Sequence, residues 1–333
     1  MKKYKLSSIL VLIILASTII FTGCNVNSKK DNNTSGNEVF KIGISQLSEH
    51  PALDEVREGF EDELKNLGVN VEINYQNSQG DIANTVSIAQ IFSKNKMDLI
   101  FAIATPAAQS AKQVTRNIPI LFSAVTDPVK SEIIEDWENI NENVTGTSDM
   151  APTASQLKMF KEIDPNIKTI GILYNTSETN SEIQIEEVNK LASSEDLKVV
   201  TIGVSNVNEL PQALNSIMKK ADALYLLTDN MVASSIELIS KTAIENKMIT
   251  VSAEETQVRG GALITNGISY YELGKQTGQM AKKILVDKKD ISEIPVEVSE
   301  KTITKINRNT LDKLGLNPNL PVFKKAVEVE NKK

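Results

Sequence analysis

Two reactive residue types are nearly missing: there is a single cysteine, Cys24, and a single histidine, His50. A lone thiol has no disulfide partner, and one thiol with one imidazole is too few ligands for a structural metal site, so no metal and no cofactor is expected. A Ser-His-Asp site would have to use His50, and no GxSxG elbow occurs. No GxGxxG or GxxxxGK loop follows a strand-like run, which sets aside dinucleotide and P-loop chemistry. Aromatic residues make up 5% of the chain, and few fall where a sugar would need a ring to stack on. Basic residues are outnumbered 36 to 43 for a net charge of −7, a balance that argues against nucleic acid as a partner.

Long apolar runs are also scarce, and the exception stands at the N-terminus. Lys2, Lys3 and Lys5 precede a run from Ile9 to Phe21, the charged and apolar regions of an export signal and too short for an ordinary membrane span. The run ends in "FTGC", close to the lipobox in which a cysteine after a small residue is acylated, with Phe21 where Leu, Val or Ile is usual. A lipid-anchored chain beginning at Cys24 is expected; a plain secretory signal or an uncleaved anchor are the alternatives. Acyl chains, at about 0.8 kcal/mol per buried CH₂, would hold the protein on a membrane without a spanning helix. Residues 24–38 read as a disordered tether because they offer almost nothing to bury. Removal of residues 1–23 takes away three lysines and no acid, moving the charge from −7 to −10.

From Val39 onward strand-like runs alternate with amphipathic helices. "VFKIGIS" is followed by "PALDEVREGFEDELKNLG", which places Leu53, Val56, Phe60, Leu64 and Leu67 at helical spacing between Pro51 and Gly68. "VNVEINYQN", "DLIFAIAT" and "IPILFSAV" continue as strands, with helices over Ile82–Asn95 and Ala107–Arg116. The pattern restarts at "IKTIGILYN" and continues through "LKVVTIGVS", "DALYLLTD" and "MITVSAEE". Such alternation predicts an α/β fold of two doubly wound parallel-sheet lobes. "GALITNGIS", a helix from Tyr270 to about Lys288 and a late strand "PVEVSEKTITKIN" follow. A chain that completes both lobes and then continues crosses back between them, which makes a hinge and a clamp. The expected division is residues 39–147 with about 266–294 in lobe 1, and 148–265 with about 295–325 in lobe 2.

Ligands in open α/β sheets sit beyond the carboxyl ends of the strands. Those ends hold Ser45 and Gln46; Asn77 and Ser78; Thr105 and Pro106; Ala124 to Asp127; Asn175 to Ser177; Thr228, Asp229 and Asn230; and Glu254. They are rich in hydroxyls and amides and poor in nucleophile-base pairs, which points to recognition of a small polar molecule. Asp229 is the expected acceptor for a ligand ammonium, and the repeat sets Thr228 opposite Thr105 across the cleft. The arginines Arg57, Arg116, Arg259 and Arg308 lie away from these ends, so hydroxyls and backbone N–H groups are the expected carboxylate donors. His50 either shapes the start of the first helix or forms a flat wall for an aromatic ligand. Trp137 falls in an expected surface helix and Tyr225 in a buried strand.

"IGISQLSEHPALDEVREGF", "FAIATPAAQSA", "FSAVTDPV", "NVTGTSD" and "LYNTSETNS" resemble the substrate-binding lipoproteins of a bacterial ABC importer family, some of which bind tryptophan or other aromatic amino acids. The likeness runs from about Val39 to Leu320. It implies a type I periplasmic-binding-protein fold, two lobes joined by three crossings, and no catalysis. It further implies ligand contact from Ser45 and Gln46, from Thr105, Pro106 and Ala107, from Ala124, Thr126 and Asp127, from Asp149 closing "NVTGTSD", and from Thr228, Asp229 and Asn230. Thr105 and Asp127 could equally serve as helix caps. The expected function is capture of an amino acid, an aromatic one such as tryptophan favoured, by a monomer outside the membrane and delivery to an ABC permease. A sugar- or nucleoside-type binding protein and an exported sensor are the alternatives.

Overall fold

The computed structural model describes residues 38–138, 143–299 and 301–329. The expected signal, Cys24 and the tether up to residue 37 lie outside the described residues. The described residues from Val39 onward form one compact unit.

In chain order the elements are β1 Phe40–Gln46, α1 Pro51–Asn66, β2 Val71–Asn77, α2 Ile82–Lys94, β3 Leu99–Ile103, α3 Thr105–Val114, β4 Ile120–Val125 and β5 Val144–Ser148. There follow α4 Thr153–Ile163, β6 Thr169–Asn175, α5 Thr179–Ala192, β7 Lys198–Val204, α6 Leu210–Ile217 and β8 Ala223–Leu226. Then come α7 Asn230–Ser234, α8 Ile236–Glu245, β9 Ile249–Ser252, α9 Glu255–Arg259, β10 Ile264–Gly267 and α10 Tyr270–Leu285. The chain closes with β11 Glu297–Val298, β12 Ile303–Ile306, α11 Arg308–Leu314, α12 Pro321–Lys324 and β13 Val327–Glu328.

The strands form two sheets, ordered β11-β5-β4-β3-β1-β2 and β13-β12-β10-β9-β8-β6-β7. All pairings are parallel except β10 with β12. The fold is α/β, with separate apolar clusters on the faces of each sheet. Strands covered on both faces read as nearly unbroken apolar runs, as "LIFAI" in β3 does.

Three passages join the lobes. The first leaves β5 through Asp149, the second runs from β10 into α10, and the third follows β11. The late run expected as one strand is two elements: Glu297–Val298 pairs with β5 in the first sheet, and Ile303–Ile306 pairs with β10 in the second. It therefore is a crossing. Helix α10 lies on α1, where Gly59 and Gly274 bring the backbones together: a Cβ on Gly59 would strike the carbonyl of Tyr271, and one on Gly274 that of Val56. The contact fixes the N-terminus of α10, and with it Tyr270, against the first lobe.

Trp137 is not helical; it lies in a half-buried loop. Its carbonyl accepts from Val296 N–H at 3.3 Å. Leu67, counted in the apolar stripe of α1, is the C-cap and is exposed.

Candidate functional site

The carboxyl ends of β1 to β5 face those of β6, β8 and β9 across the cleft. At the end of β3 the chain turns sharply: Ala104 has φ 82° and ψ 155°, and α3 begins at the next residue, two positions before its expected start. Ala124, at the end of β4, has φ 55° beside an irregular register with β5. Both are backbone conformations that L side chains seldom adopt, and such strain concentrates where structure serves recognition.

The lobes meet directly. His50 Nε2 lies 3.1 Å from Asn230 Oδ1, and Thr126 Oγ1 lies 3.3 Å from Thr228 Oγ1. Arg259 of α9 pairs with Glu55 of α1. The hydroxyl of Thr228, expected to face Thr105, instead meets that of Thr126 and also accepts from Gln184 Nε2 at 2.7 Å. Arg259, expected to lie away from the strand ends, reaches across the cleft to Glu55.

Between the lobes is an inner cavity of about 10 Å³, about the room of one water. Of the sequence-expected residues, Ala124, Asp149, Thr228, Asp229, Asn230 and Glu254 line it, together with His50. An outer compartment of about 660 Å³ takes in Asn175 and Ser177 along with Ser48, Gln79 and Glu178. Ser45, Gln46, Asn77, Thr105, Pro106, Ala107, Thr126 and Asp127 line neither space. Asn77 accepts from Gln79 N–H at 2.7 Å, and Asp127 accepts from the N–H groups of Val129 and Lys130. Ala52, Leu53, Ala233, Gln257 and Tyr270 line the inner cavity without having been expected there. They sit inside helices, not at the strand ends, so a reading confined to strand ends passes over them.

The buried carboxylates differ sharply in what occupies their oxygens. Asp229 caps α7: Oδ2 accepts from Asn175 N–H at 2.6 Å and from Ser181 Oγ at 2.7 Å, and Oδ1 accepts from Val232 N–H at 2.9 Å. Glu254 caps α9 and accepts from the Thr256 hydroxyl at 2.7 Å and from Gln257 N–H at 2.9 Å. Glu178 holds Asn230 through its backbone N–H at 3.1 Å and its side-chain amide. Asp149 is different. Its Oδ2 accepts from the Tyr270 hydroxyl at 2.6 Å, while its buried Oδ1 has no partner.

Burial pushes the carboxyls of Asp149 and Asp229 upward. Burial, and then the charge of Asp229, pushes Glu178 up to about 7, and burial does the same to Glu254. Burial lowers His50, which keeps its imidazole neutral at pH 7. Asn230 donates to Glu178 through its amide nitrogen, so its Oδ1 accepts from His50 Nε2–H and leaves Nδ1 as an acceptor. No lysine or arginine lines the inner cavity. An acid-rich site with a free carboxylate oxygen and no protein cation suits a ligand that brings its own positive charge. Among the described residues no group of three or more His, Cys, Asp or Glu is arranged to hold a metal.

Unpartnered buried hydroxyls mark the other pole. Ser45, Ser78 and Thr105, at the ends of β1, β2 and β3, each carry one, and each residue is at most 1% exposed. Buried polar atoms are normally paired, so these hydroxyls at three strand ends are left free to donate.

Comparison with known proteins gives the family of the chain. A family model described as ABC transporter substrate binding protein matches residues 41–330. The tyrosine-binding protein of Clostridioides difficile (strain R20291) is 40% identical over 324 residues, covering 95% of this chain and 93% of that protein. Among solved structures, the ABC domain in complex with L-Trp from Streptococcus pneumonia has a TM-score of 0.83 at 32% identity, covering 87% of this chain and 100% of that one. A ligand-free, open substrate binding protein with adhesive properties from Clostridium difficile has a TM-score of 0.67 at 43% identity, covering 88% and 100%. The overlay is poorer on the open relative despite its higher identity, as expected for a chain whose lobes meet across the cleft. The chain belongs to the ABC transporter substrate-binding protein family.

Proposed function

We propose that this protein is the extracytoplasmic, lipid-anchored binding component of an ABC importer, and that it captures an aromatic amino acid between its lobes and hands it to a membrane permease without chemical turnover. The observation that carries the reading is the unpartnered Oδ1 of Asp149, buried at the inner cavity among acids and away from any protein cation. An ammonium supplies the missing donors, and the lobe-1 hydroxyls receive the carboxylate. Ala52, Ala124 and Ala233 border the same cavity with short apolar side chains. A parting of the lobes therefore widens a slot that a flat ring can enter. The names of the similar proteins, one tyrosine-binding and one solved with L-Trp, favour an aromatic side chain. Cys24 supplies the lipid attachment, as its place after "FTG" suggests.

Calorimetry tests the reading with L-tyrosine, L-tryptophan, L-phenylalanine and glucose. Saturable binding of one or more of the amino acids and none of glucose is expected. Binding of glucose with no response to the amino acids would contradict it. Fatty-acid labelling that persists in Cys24→Ser would contradict the anchor.

A further inference from the structure

We infer that Tyr270 is a positioning residue for ligand recognition: its hydroxyl holds Asp149 in the orientation and charge state that accept the ligand ammonium, and it does so across the hinge. The inference rests on the amino-acid reading above and names a residue that reading does not use.

Asp149 is the first residue after β5, where the chain first leaves lobe 1, and Tyr270 is the first residue of α10, just after the second passage. The 2.6 Å hydrogen bond from the Tyr270 hydroxyl to Asp149 Oδ2 thus ties two of the three passages together. Both side chains are buried and both line the inner cavity. One carboxylate oxygen is fixed by the hinge tyrosine, and the other is buried without a partner in a residue that lines the cavity. A bond to the ammonium at Oδ1 is then a bond to the hinge.

The surroundings make the tyrosine necessary for charge as well as for orientation. Burial raises the Asp149 carboxyl, and the hydrogen bond from Tyr270 opposes that rise. The other titratable groups lining the same cavity are His50 before α1, Asp229 before α7 and Glu254 before α9. His50 is held neutral by burial, and the two acids add only negative charge. No lysine or arginine lines the cavity, and the charge of Arg259 acts on Glu254, so loss of the Tyr270 hydroxyl favours the protonated form of Asp149, which no longer attracts an ammonium. Affinity for an ammonium-bearing ligand is present above the Asp149 pKa and is lost as pH falls through it; Tyr270→Phe moves that loss to higher pH.

The test compares L-tyrosine with 3-(4-hydroxyphenyl)propanoate, which lacks the ammonium, on the wild-type chain, Tyr270→Phe and Asp149→Asn by calorimetry between about pH 5.5 and about pH 8. Tyr270→Phe is expected to weaken L-tyrosine about 5-fold or more near neutrality, to recover part of the loss at the alkaline end, and to leave the propanoate nearly unaffected. Asp149→Asn is expected to weaken L-tyrosine about 10- to 150-fold with no alkaline recovery, and its residual pH dependence isolates the contribution of Glu254. Equal loss on both ligands with no pH dependence would reduce Tyr270 to a packing role and overturn the inference, as would wild-type affinity in Tyr270→Phe. A wild-type protein that binds neither L-tyrosine nor L-tryptophan would instead overturn the amino-acid reading. Carboxyl-carbon NMR of Asp149 in the unliganded chain judges the relay separately: its titration moves to higher pH in Tyr270→Phe, and an unchanged titration would contradict the relay whatever the ligand.

Discussion

The two lobes repeat one architecture but differ in the polar atoms they leave unsatisfied at the cleft. At the strand ends of lobe 1 the unpartnered buried atoms include the hydroxyls of Ser45, Ser48, Ser78 and Thr105, which can donate, beside the acceptors Gln46 Oε1 and His50 Nδ1. In lobe 2 the cleft-side atoms in that state are the acceptors Asn180 Oδ1 and Gln257 Oε1, while the carboxylates of Glu178, Asp229 and Glu254 already hold backbone or side-chain donors. The left-handed alanines Ala104 and Ala124 both belong to lobe 1, and the strand ends of lobe 2 have no counterpart among the described residues. The carboxylates of lobe 2 are thus already engaged, while lobe 1 holds hydroxyl donors and strain in reserve for a partner. The difference teaches that a duplicated fold need not divide recognition evenly: Asp149, on the hinge between the lobes, supplies the one buried carboxylate oxygen without a partner among the described residues.

The sharpest way to break this comparison is Asp229→Asn. Its oxygens accept from three donors of its own lobe, so the substitution should cost about 1–3 kcal/mol of stability and change L-tyrosine affinity by less than about threefold. Chemical denaturation with calorimetry reads both; unchanged stability with strongly weakened binding would return Asp229 to the ligand. Next is the pH response of lobe 2. Glu178 and Glu254 are each pushed up to about 7 from an ordinary value of 4.5, so the folded state binds more protons than the unfolded one between those values. Stability should therefore fall by roughly 2–3 kcal/mol for each of the two groups as pH rises from 4.5 to 7, and level off above that. Melting curves of Glu178→Gln and Glu254→Gln should be flatter over that window, and a steeper curve would contradict the assignment.

Thr105→Val probes the reserve in lobe 1. Removal of a buried hydroxyl that has no partner should leave the melting temperature unchanged or raised, while L-tyrosine affinity falls about 5- to 10-fold. Undiminished affinity would remove Thr105 from the carboxylate donors. The smallest effect is expected at the clasp. Arg259→Met breaks the pair with Glu55, which is partly exposed on both sides, and should weaken binding about 2- to 5-fold by favouring the open form. Small-angle scattering of the unliganded protein should show expansion, and identical profiles would show that the pair does not bias closure.

The alternation of β and α was legible because strands buried on both faces cannot avoid apolar runs and the helices between them cannot avoid amphipathic ones. β5 escaped because it is written "VTGTS". It is fully buried yet polar: Thr145 donates to the Ile294 carbonyl, and the Thr147 hydroxyl lies 2.8 Å from those of Ser123 and Thr277. Gly146 is there because a Cβ would strike the backbone of Phe122. Hydroxyls satisfied by tertiary contacts leave no periodic signal. The site was legible as a set of strand ends, and the structure gathers six of the expected residues around one cavity. It was not legible which acid has a free oxygen, since Asp149, Asp229 and Glu254 differ only in the donors that folding brings to them. Tyr270 was hidden for a related reason: its partner lies 121 positions away, and only the crossing of the chain brings them together.

The central claim is that the ligand lies with its ammonium on the hinge and its carboxylate on lobe 1, and a crystal structure with L-tyrosine bound tests it most directly. The account predicts the ammonium nitrogen within about 3 Å of Asp149 Oδ1 and the carboxylate among the hydroxyls of Ser45, Ser78 and Thr105. A ligand turned end for end, or one whose ammonium rests on Asp229 or Glu254 with Asp149 Oδ1 still unpaired, would contradict it.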